Sequence, residues 1–343
     1  MRSIHKLAHK PANQFKPKVF ITRKIPGPAI PLLRKYFNVR VYPKDQKIPR
    51  KELIKGVKWC DALLCLLTEK IDKEIIDLNP NLKIISNYAV GFNNIDIKYA
   101  TLKGIPVCNT PSQEVVDAVA EHTLTLLLGV AKRIHEDERY VREHKWKTWE
   151  PELLLGTQVK GKTLGIVGLG RIGKGVAERA GHGLGMAVIY YDVIKDRKFE
   201  RKYKAKHVEL KTLLKQADFV TVHVPLLPST KHLFGKKEFS LMKKTAYFIN
   251  TSRGPVVDEK ALIWALQKGK IASAGLDVYE SEPKVNKRLT TLQNCVLSPH
   301  TASATTEVRI QMSKDAAENI LAIMNGKKAK KTVNPEVYKK KRK

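Results

Sequence analysis

The 343 residues are 43% apolar, enough to bury a sizeable core, and the length fits roughly two domains. Lysine and arginine outnumber aspartate and glutamate by 64 to 33, and the formal charge of +31 favours anionic partners such as nucleotides, carboxylates and nucleic acid. No run of about 18 apolar residues occurs, the stretch 123–131 being far too short, so a membrane span is excluded from the expectations.

Residues 1–17 are basic and lack the apolar run of a secretory signal, so they read as a solvated extension. From residue 18 short β-like runs alternate with helical ones: strand 18–22, helix 29–36, strand 38–42, a buried strand 62–67, and strands 82–86 and 106–109. A helix is predicted over 117–134 with Asp117 as its N-cap and Glu121 in its early turns. The stretch 136–156, with Trp146, Trp149 and Pro151, shows no clear period. Its aromatics pack either on a second copy of the chain or within the chain, and both readings stay open.

The pattern then restarts with strand 163–167, helix 171–183 and strand 187–191, followed by strands 219–224, 246–249, 272–276 and 295–297. A last helix, 307–324, has no strand after it and is free to return to the first domain. Alternating strands and helices call for α/β architecture: two doubly wound parallel-sheet domains, Rossmann or flavodoxin-like, with a cleft between them. The runs Lys327-Lys328-Ala329-Lys330-Lys331 and Lys339-Lys340-Lys341-Arg342-Lys343 read as solvated charge, and without interleaved aromatics they do not favour nucleic acid. Cys60, Cys65, Cys108 and Cys295 are scattered through apolar stretches without metal-ligand spacing. They are expected to be reduced core thiols, with no metal and a cytoplasmic location.

The segment Gly168-Leu169-Gly170-Arg171-Ile172-Gly173 sits where a strand turns into a helix, the context that makes this glycine spacing a dinucleotide site. Gly168 permits the tight turn, Gly170 lets backbone approach a pyrophosphate, and Gly173 lets helix and strand pack closely. The helix N-terminus presents free N–H groups and partial positive charge to the phosphates. The next strand ends at Asp192, whose carboxylate suits ribose hydroxyls and repels a 2′-phosphate, so NAD is favoured. Lys195, Arg197 and Lys198 just downstream leave NADP open.

Three polar clusters end later strands: Asn250-Thr251-Ser252-Arg253-Gly254, Gly275 through Pro283, and Ser298-Pro299-His300. The order of the glycine turn, Ser252-Arg253-Gly254, Gly275-Leu276-Asp277-Val278, Glu282-Pro283 and Pro299-His300 resembles the D-isomer-specific 2-hydroxyacid dehydrogenases, over residues 18–335. Within that family the chain is most similar to the glyoxylate and hydroxypyruvate reductases. Residues 63–72, Trp146-Lys147-Thr148-Trp149 with Leu154-Leu155-Gly156, and Ser303-Ala304-Thr305 carry that similarity.

The resemblance implies reduction of a small 2-keto acid, glyoxylate or hydroxypyruvate, by a homodimer. It makes His300 the general acid, a role an imidazolium can fill near neutral pH. Glu282 bonds that imidazole and favours its charged form, with Glu280 as the rival carboxylate. Arg253 offers a fork for the substrate carboxylate and keto oxygen. The amides of Val90 and Gly91 complete the carboxylate contacts, Leu67 lines the substrate, and Asp277 orients the nicotinamide carboxamide. Val224, Pro225, Thr230 and Thr251 join the glycine turn, Arg253 and His300 at the cofactor. The other nine histidines are expected to be structural or on the surface. The implied division is an extension over 1–17, a substrate-binding domain over 18–116 and 303–335, an NAD-binding domain over 117–302, and a basic tail over 336–343.

Asn109-Thr110-Pro111 is followed by Ser112 through Asp117 without the threonine the family often has there, so its cofactor contact is not carried over. Phosphoglycerate dehydrogenases are near neighbours, but their Arg-Ser-x-Thr phosphate contact is replaced by Cys65-Leu66-Leu67-Thr68. The alternatives are therefore a D-3-phosphoglycerate or other D-2-hydroxyacid dehydrogenase, or an NAD-sensing protein like the C-terminal-binding-protein corepressors, for which only the basic tails speak.

Overall fold

The computed structural model describes residues 16–339, and the expectations for the extension up to residue 15 and for 340–343 lie outside the described residues. The chain divides into two compact units. One runs to Ser112 and resumes at Thr306; the other is Gln113–Thr305.

The first unit holds five parallel strands, β1 (Lys18–Ile21), β2 (Asn38–Val41), β3 (Ala62–Leu66), β4 (Ile84–Tyr88) and β5 (Val107–Cys108). Their order is β2-β1-β3-β4-β5, the flavodoxin-like doubly wound arrangement. β3 (ALLCL) and β4 (IISNY) are buried almost throughout, as strands covered on both faces must be. The helix Thr306–Met324 docks on β4: the Ser86 hydroxyl donates to the Ala316 carbonyl (3.1 Å), and the Tyr88 hydroxyl donates to that of Arg309 (2.9 Å).

Beyond that helix the chain returns along β5. The Asn109 N–H donates to the Lys331 carbonyl (3.1 Å) and the Val333 N–H to that of Val107 (2.8 Å). Asn334, wholly buried, accepts from the Val107 N–H at 2.8 Å and donates to the Ile105 carbonyl at 3.0 Å. Two expectations are corrected here. Lys331, placed in a solvated charge run, forms an ion pair with the buried Asp315. The basic tail expected from residue 336 begins later, because Pro335–Tyr338 is a turn of 3₁₀ helix with Val337 buried.

The second unit holds seven parallel strands: β6 (Thr163–Val167), β7 (Ala187–Tyr191), β8 (Lys206–His207), β9 (Phe219–Val222), β10 (Tyr247–Asn250), β11 (Ser273–Leu276) and β12 (Cys295–Leu297). The order β12-β11-β10-β9-β6-β7-β8 is the dinucleotide-binding order with one strand added, and it reverses between β6 and β9. One core cluster is centred on Phe234, Phe239 and Phe248, whose ring centroids lie 5.0–6.0 Å apart.

Three helical expectations change. The first helix of this unit is Gln113–Ala131, so Asp117 lies one turn inside rather than at the cap, where it pairs with Arg179 at 2.6 Å. Pro111 and Ser112 end the preceding connection, and Glu114 then falls in the first turn, where its charge suits the helix dipole. The aperiodic stretch 136–156 begins inside a helix, Ile134–Arg142, that buries no residue and is braced by the Arg142–Glu138 ion pair. The helix after the glycine turn is α over Arg171–Glu178 and widens to a π-helix over Arg179–Gly183.

All four cysteines are free and buried, with burial pushing Cys60 and Cys295 up to about 12 and Cys108 up to about 11. Among the described residues no helix is long and apolar enough to cross a membrane.

Candidate functional site

Every second-unit residue singled out from the sequence lies at or after the C-terminal end of a strand, the edge where open parallel sheets bind ligands. Gly168 follows β6 with φ +97°, and a Cβ at Gly173 would lie 2.1 Å from the Gly168 carbonyl oxygen. The helix and the strand end therefore meet backbone to backbone. Over Gly170 a Cβ would meet nothing within 4 Å. No packing demands a glycine there, so the open approach is left to a ligand. Arg171 and Ile172 open the helix whose first N–H groups face that opening.

Asp192, just past β7, accepts from the Leu169 N–H at 2.7 Å and from the Ile194 N–H at 3.1 Å. Its carboxylate is thereby locked against the glycine turn. Of the downstream cations, Lys195 leans toward Glu200 at 3.7 Å, and Arg197 opens the helix Arg197–Tyr203. Val224 and Pro225 follow β9 across the switch point from Gly168, and the Thr230 hydroxyl closes their loop by donating to the Pro225 carbonyl at 2.6 Å. Thr251, buried after β10, shares a 2.8 Å hydroxyl bond with Thr123.

Arg253 is half-buried and donates to the Ser252 carbonyl at 2.6 Å, while the Asn250 amide holds the Arg253 carbonyl at 3.1 Å. Burial pulls its guanidinium below the ordinary value, with Glu282 opposing that shift. His300 Nδ1 lies 2.8 Å from Glu282 Oε2. Burial pushes the Glu282 carboxyl up, but the His300 bond and charge, the Tyr279 N–H and Arg253 together hold it below the usual range. The rival Glu280 faces elsewhere, 2.7 Å from His232 Nε2.

Asp277 is wholly buried after β11 and organises the segment that carries His300. Its side chain accepts from the Ser298 hydroxyl (2.6 Å), the Thr301 N–H (2.8 Å) and the Ala302 N–H (2.8 Å), while its carbonyl accepts from the His300 N–H (2.9 Å). This segment needs holding, because His300 has φ +55°, a left-handed conformation that side chains other than glycine adopt at a cost. His122, on the helix Gln113–Ala131, joins the cluster with Nε2 3.0 Å from the Ser298 hydroxyl and 3.5 Å from Asp277 Oδ1.

From the sequence His122 is expected to be structural or on the surface. Its only signal in the sequence is the polar Glu121-His122 pair inside an apolar helix.

Burial opposes ionisation of Asp277, yet the donors from His122, Ser298, Thr301 and Ala302 hold its carboxyl below the usual carboxylate range. A depressed folded value means that its stabilisation is present above the unfolded value and is lost as pH falls through the folded one. Asp277→Ala, which leaves the Thr301 and Ala302 N–H groups without their acceptor, is expected to destabilise the protein by about 2–3 kcal/mol at neutral pH. Thermal unfolding at pH 7 checks this, and an unchanged Tm refutes it.

In the first unit, Leu67 follows β3 and is 46% exposed, while Val90 and Gly91 follow β4. Among the described residues no protein acceptor meets the N–H of Val90 or Gly91, as suits amides kept for an anion. Among the described residues no group of three or more histidine, cysteine, aspartate or glutamate side chains could hold a metal.

Residues 124–302 match the family model of the D-isomer specific 2-hydroxyacid dehydrogenases, NAD binding domain. The glyoxylate reductase of Thermococcus litoralis is 48% identical over 326 residues, covering 94% of this chain and 98% of that one. A crystal structure of a protein from Thermus thermophilus superposes with a TM-score of 0.87 at 39% identity, covering 92% of this chain and 99% of that one. An NADPH-dependent glyoxylate/hydroxypyruvate reductase from Sinorhizobium meliloti, solved with NADP and malonate, is similar with a TM-score of 0.81 at 27% identity, covering 96% and 99%.

Proposed function

Because the chain belongs to the D-isomer-specific 2-hydroxyacid dehydrogenases, we propose that it reduces glyoxylate, and hydroxypyruvate as a second substrate, to the corresponding hydroxyacid. The observation that carries this reading is the His300–Glu282 pair at 2.8 Å, on the sheet whose glycine turn is open to a dinucleotide. Bound NAD(P)H supplies the hydride.

The residues of the chain do the rest. His300, held by Glu282, gives a proton to the carbonyl oxygen as that oxygen gains negative charge. Glu282 holds the ring by one nitrogen and leaves the other to face substrate. Arg253 binds the carboxylate and keto oxygen through its fork; in the first unit, the amides of Val90 and Gly91 are donors suited to a carboxylate. Leu67 sets the room beside the reacting carbon. Asp277 is given the task of holding the His300 segment, with the carboxamide contact implied by resemblance as a second task. Val224, Pro225, Thr230 and Thr251 border the cofactor.

Purified protein is expected to oxidise NADH in the presence of glyoxylate, followed as loss of nicotinamide absorbance. No turnover with glyoxylate, hydroxypyruvate, pyruvate or 3-phosphohydroxypyruvate would refute the reading. Asp192, bonded to the glycine turn, favours NADH over NADPH. The expected kcat/KM ratio is about tenfold or more, and Asp192→Ala should lower it toward unity. A wild-type preference for NADPH would remove that role.

Trp146 and Trp149, 58% and 78% exposed, lie beyond the helix Ile134–Arg142, with Leu155 also bare. A second copy of the chain is the proposed cover, since large aromatics belong in interface cores. The mass in solution, by light scattering, tests a homodimer. Four buried, unreactive thiols fit a reducing, cytoplasmic setting.

A further inference from the structure

At the ends of β1, β3 and β4 the first unit carries a polar network that the proposed reaction does not use. We propose that Glu69 and Asn94 are positioning residues that set the choice of 2-keto acid, by fixing the chain at Leu66–Leu67 and at Val90–Gly91. This rests on the functional reading above and names what tunes its substrate contacts.

Glu69 is 2% exposed. Burying a carboxylate is costly unless its oxygens are bonded, and here both are. Oε2 accepts from the Leu66 N–H at 2.6 Å and from the Thr22 hydroxyl at 2.7 Å, and Oε1 accepts from the Thr68 hydroxyl at 2.5 Å. One side chain thus ties the end of β1 to both sides of Leu67. An apolar side chain of the same size would fill the space without defining the loop.

Asn94 joins this loop to the next. Its amide donates to the Leu66 carbonyl and to the Glu69 carbonyl, both at 3.1 Å. Its oxygen accepts from the buried Asn87 at 3.2 Å, and Asn87 donates in turn to the Gly91 carbonyl at 2.9 Å. The main chains pair as well: the Ile71 N–H donates to the Asn94 carbonyl (2.8 Å) and the Asp96 N–H to the Ile71 carbonyl (2.9 Å). The loop bearing Leu67 and the loop bearing the Val90 and Gly91 amides therefore move as one piece. Shifting that piece alters the fit around the carboxylate and the side group of the acid, while the proton donor His300 and the glycine turn belong to other elements.

The test compares wild type with Asn94→Asp, which turns an acceptor toward two carbonyls, and Glu69→Gln, which sets a donor against an N–H or a hydroxyl. Glyoxylate, hydroxypyruvate and pyruvate are titrated with saturating NADH. The expected result is a KM for glyoxylate raised about tenfold and a glyoxylate-to-pyruvate preference changed at least about threefold. The KM for NADH stays unchanged and kcat stays within about threefold. A merely structural role would lower Tm and the active fraction without moving either KM or the preference, and that outcome overturns the proposal.

If either variant fails to fold, Thr22→Val removes one of the three bonds to Glu69 at constant size. It is read in the same way, with a smaller shift. Wild type inert toward all three acids would instead overturn the functional reading, and the positioning role with it.

Discussion

Replacing His300 with alanine is expected to lower kcat for glyoxylate by about two to three orders of magnitude and to leave NADH affinity within about threefold, the range that loss of a general acid gives. The ring of His300 is fixed by Glu282 at 2.8 Å, and the residue's backbone is kept in a left-handed conformation by Asp277. Glu282→Gln keeps a bond to the ring but removes the charge. It is expected to lower kcat less than His300→Ala, because the ring stays bonded and in place. Steady-state rates with saturating NADH check both statements. A near-normal kcat in His300→Ala would end the assignment.

The glycine turn gives the second large expectation, in which two neighbouring substitutions part ways. In Gly173→Ala the new methyl falls 2.1 Å from the Gly168 carbonyl oxygen, so the turn and the helix must separate. Overpacking backbone against backbone costs about 3 kcal/mol or more, and the protein should unfold at markedly lower temperature or fail to accumulate. Gly170→Ala meets no atom of the protein, and its extended backbone, φ −70° and ψ −166°, is open to alanine. Its Tm should fall little, while NADH binding weakens by about tenfold or more, since the methyl occupies the approach of the pyrophosphate. Fluorescence titration with NADH beside a thermal melt separates the two. Equal NADH affinity in Gly170→Ala and wild type would place the pyrophosphate elsewhere.

The sequence was most readable where one strong local pattern decides the structure. Buried strands such as β3, β6, β7 and β12 are short apolar runs between turn residues, and their observed bounds fall on or within a residue of the expected ones. Ile134–Arg142 gives no apolar signal, because it buries nothing and shows charge pairs instead of an apolar stripe. β8, two polar residues at the sheet edge, carries no period at all. Helix Arg50–Trp59 gives a weak signal, because lysines and a glycine interrupt its apolar face.

The site followed the same rule. The glycine spacing and the carboxylate at 192 are local signals, and the order of the polar clusters pointed to Arg253, Glu282 and His300. Which of Glu280 and Glu282 meets His300 depends on which way two carboxylates turn, and that is a matter of packing. His122 reaches Ser298 across 176 residues of chain, and Asn94 and Glu69 act through main-chain carbonyls and amides that no residue type announces.

The return of the chain to β5 also fixes an order of events at the ribosome. β4 and β5 are synthesised roughly 220 residues before the helix Thr306–Met324 that covers one and the Lys331–Asn334 segment that borders the other. At about 5–20 residues per second, that apolar face and open edge wait on the order of ten seconds or more for their partners. Meanwhile the second unit is complete in a single uninterrupted stretch, Gln113–Thr305, and can fold first. The nascent chain is therefore most exposed to wrong pairing along β4 and β5, and a release of the chain short of Asn334 would make that temporary state permanent.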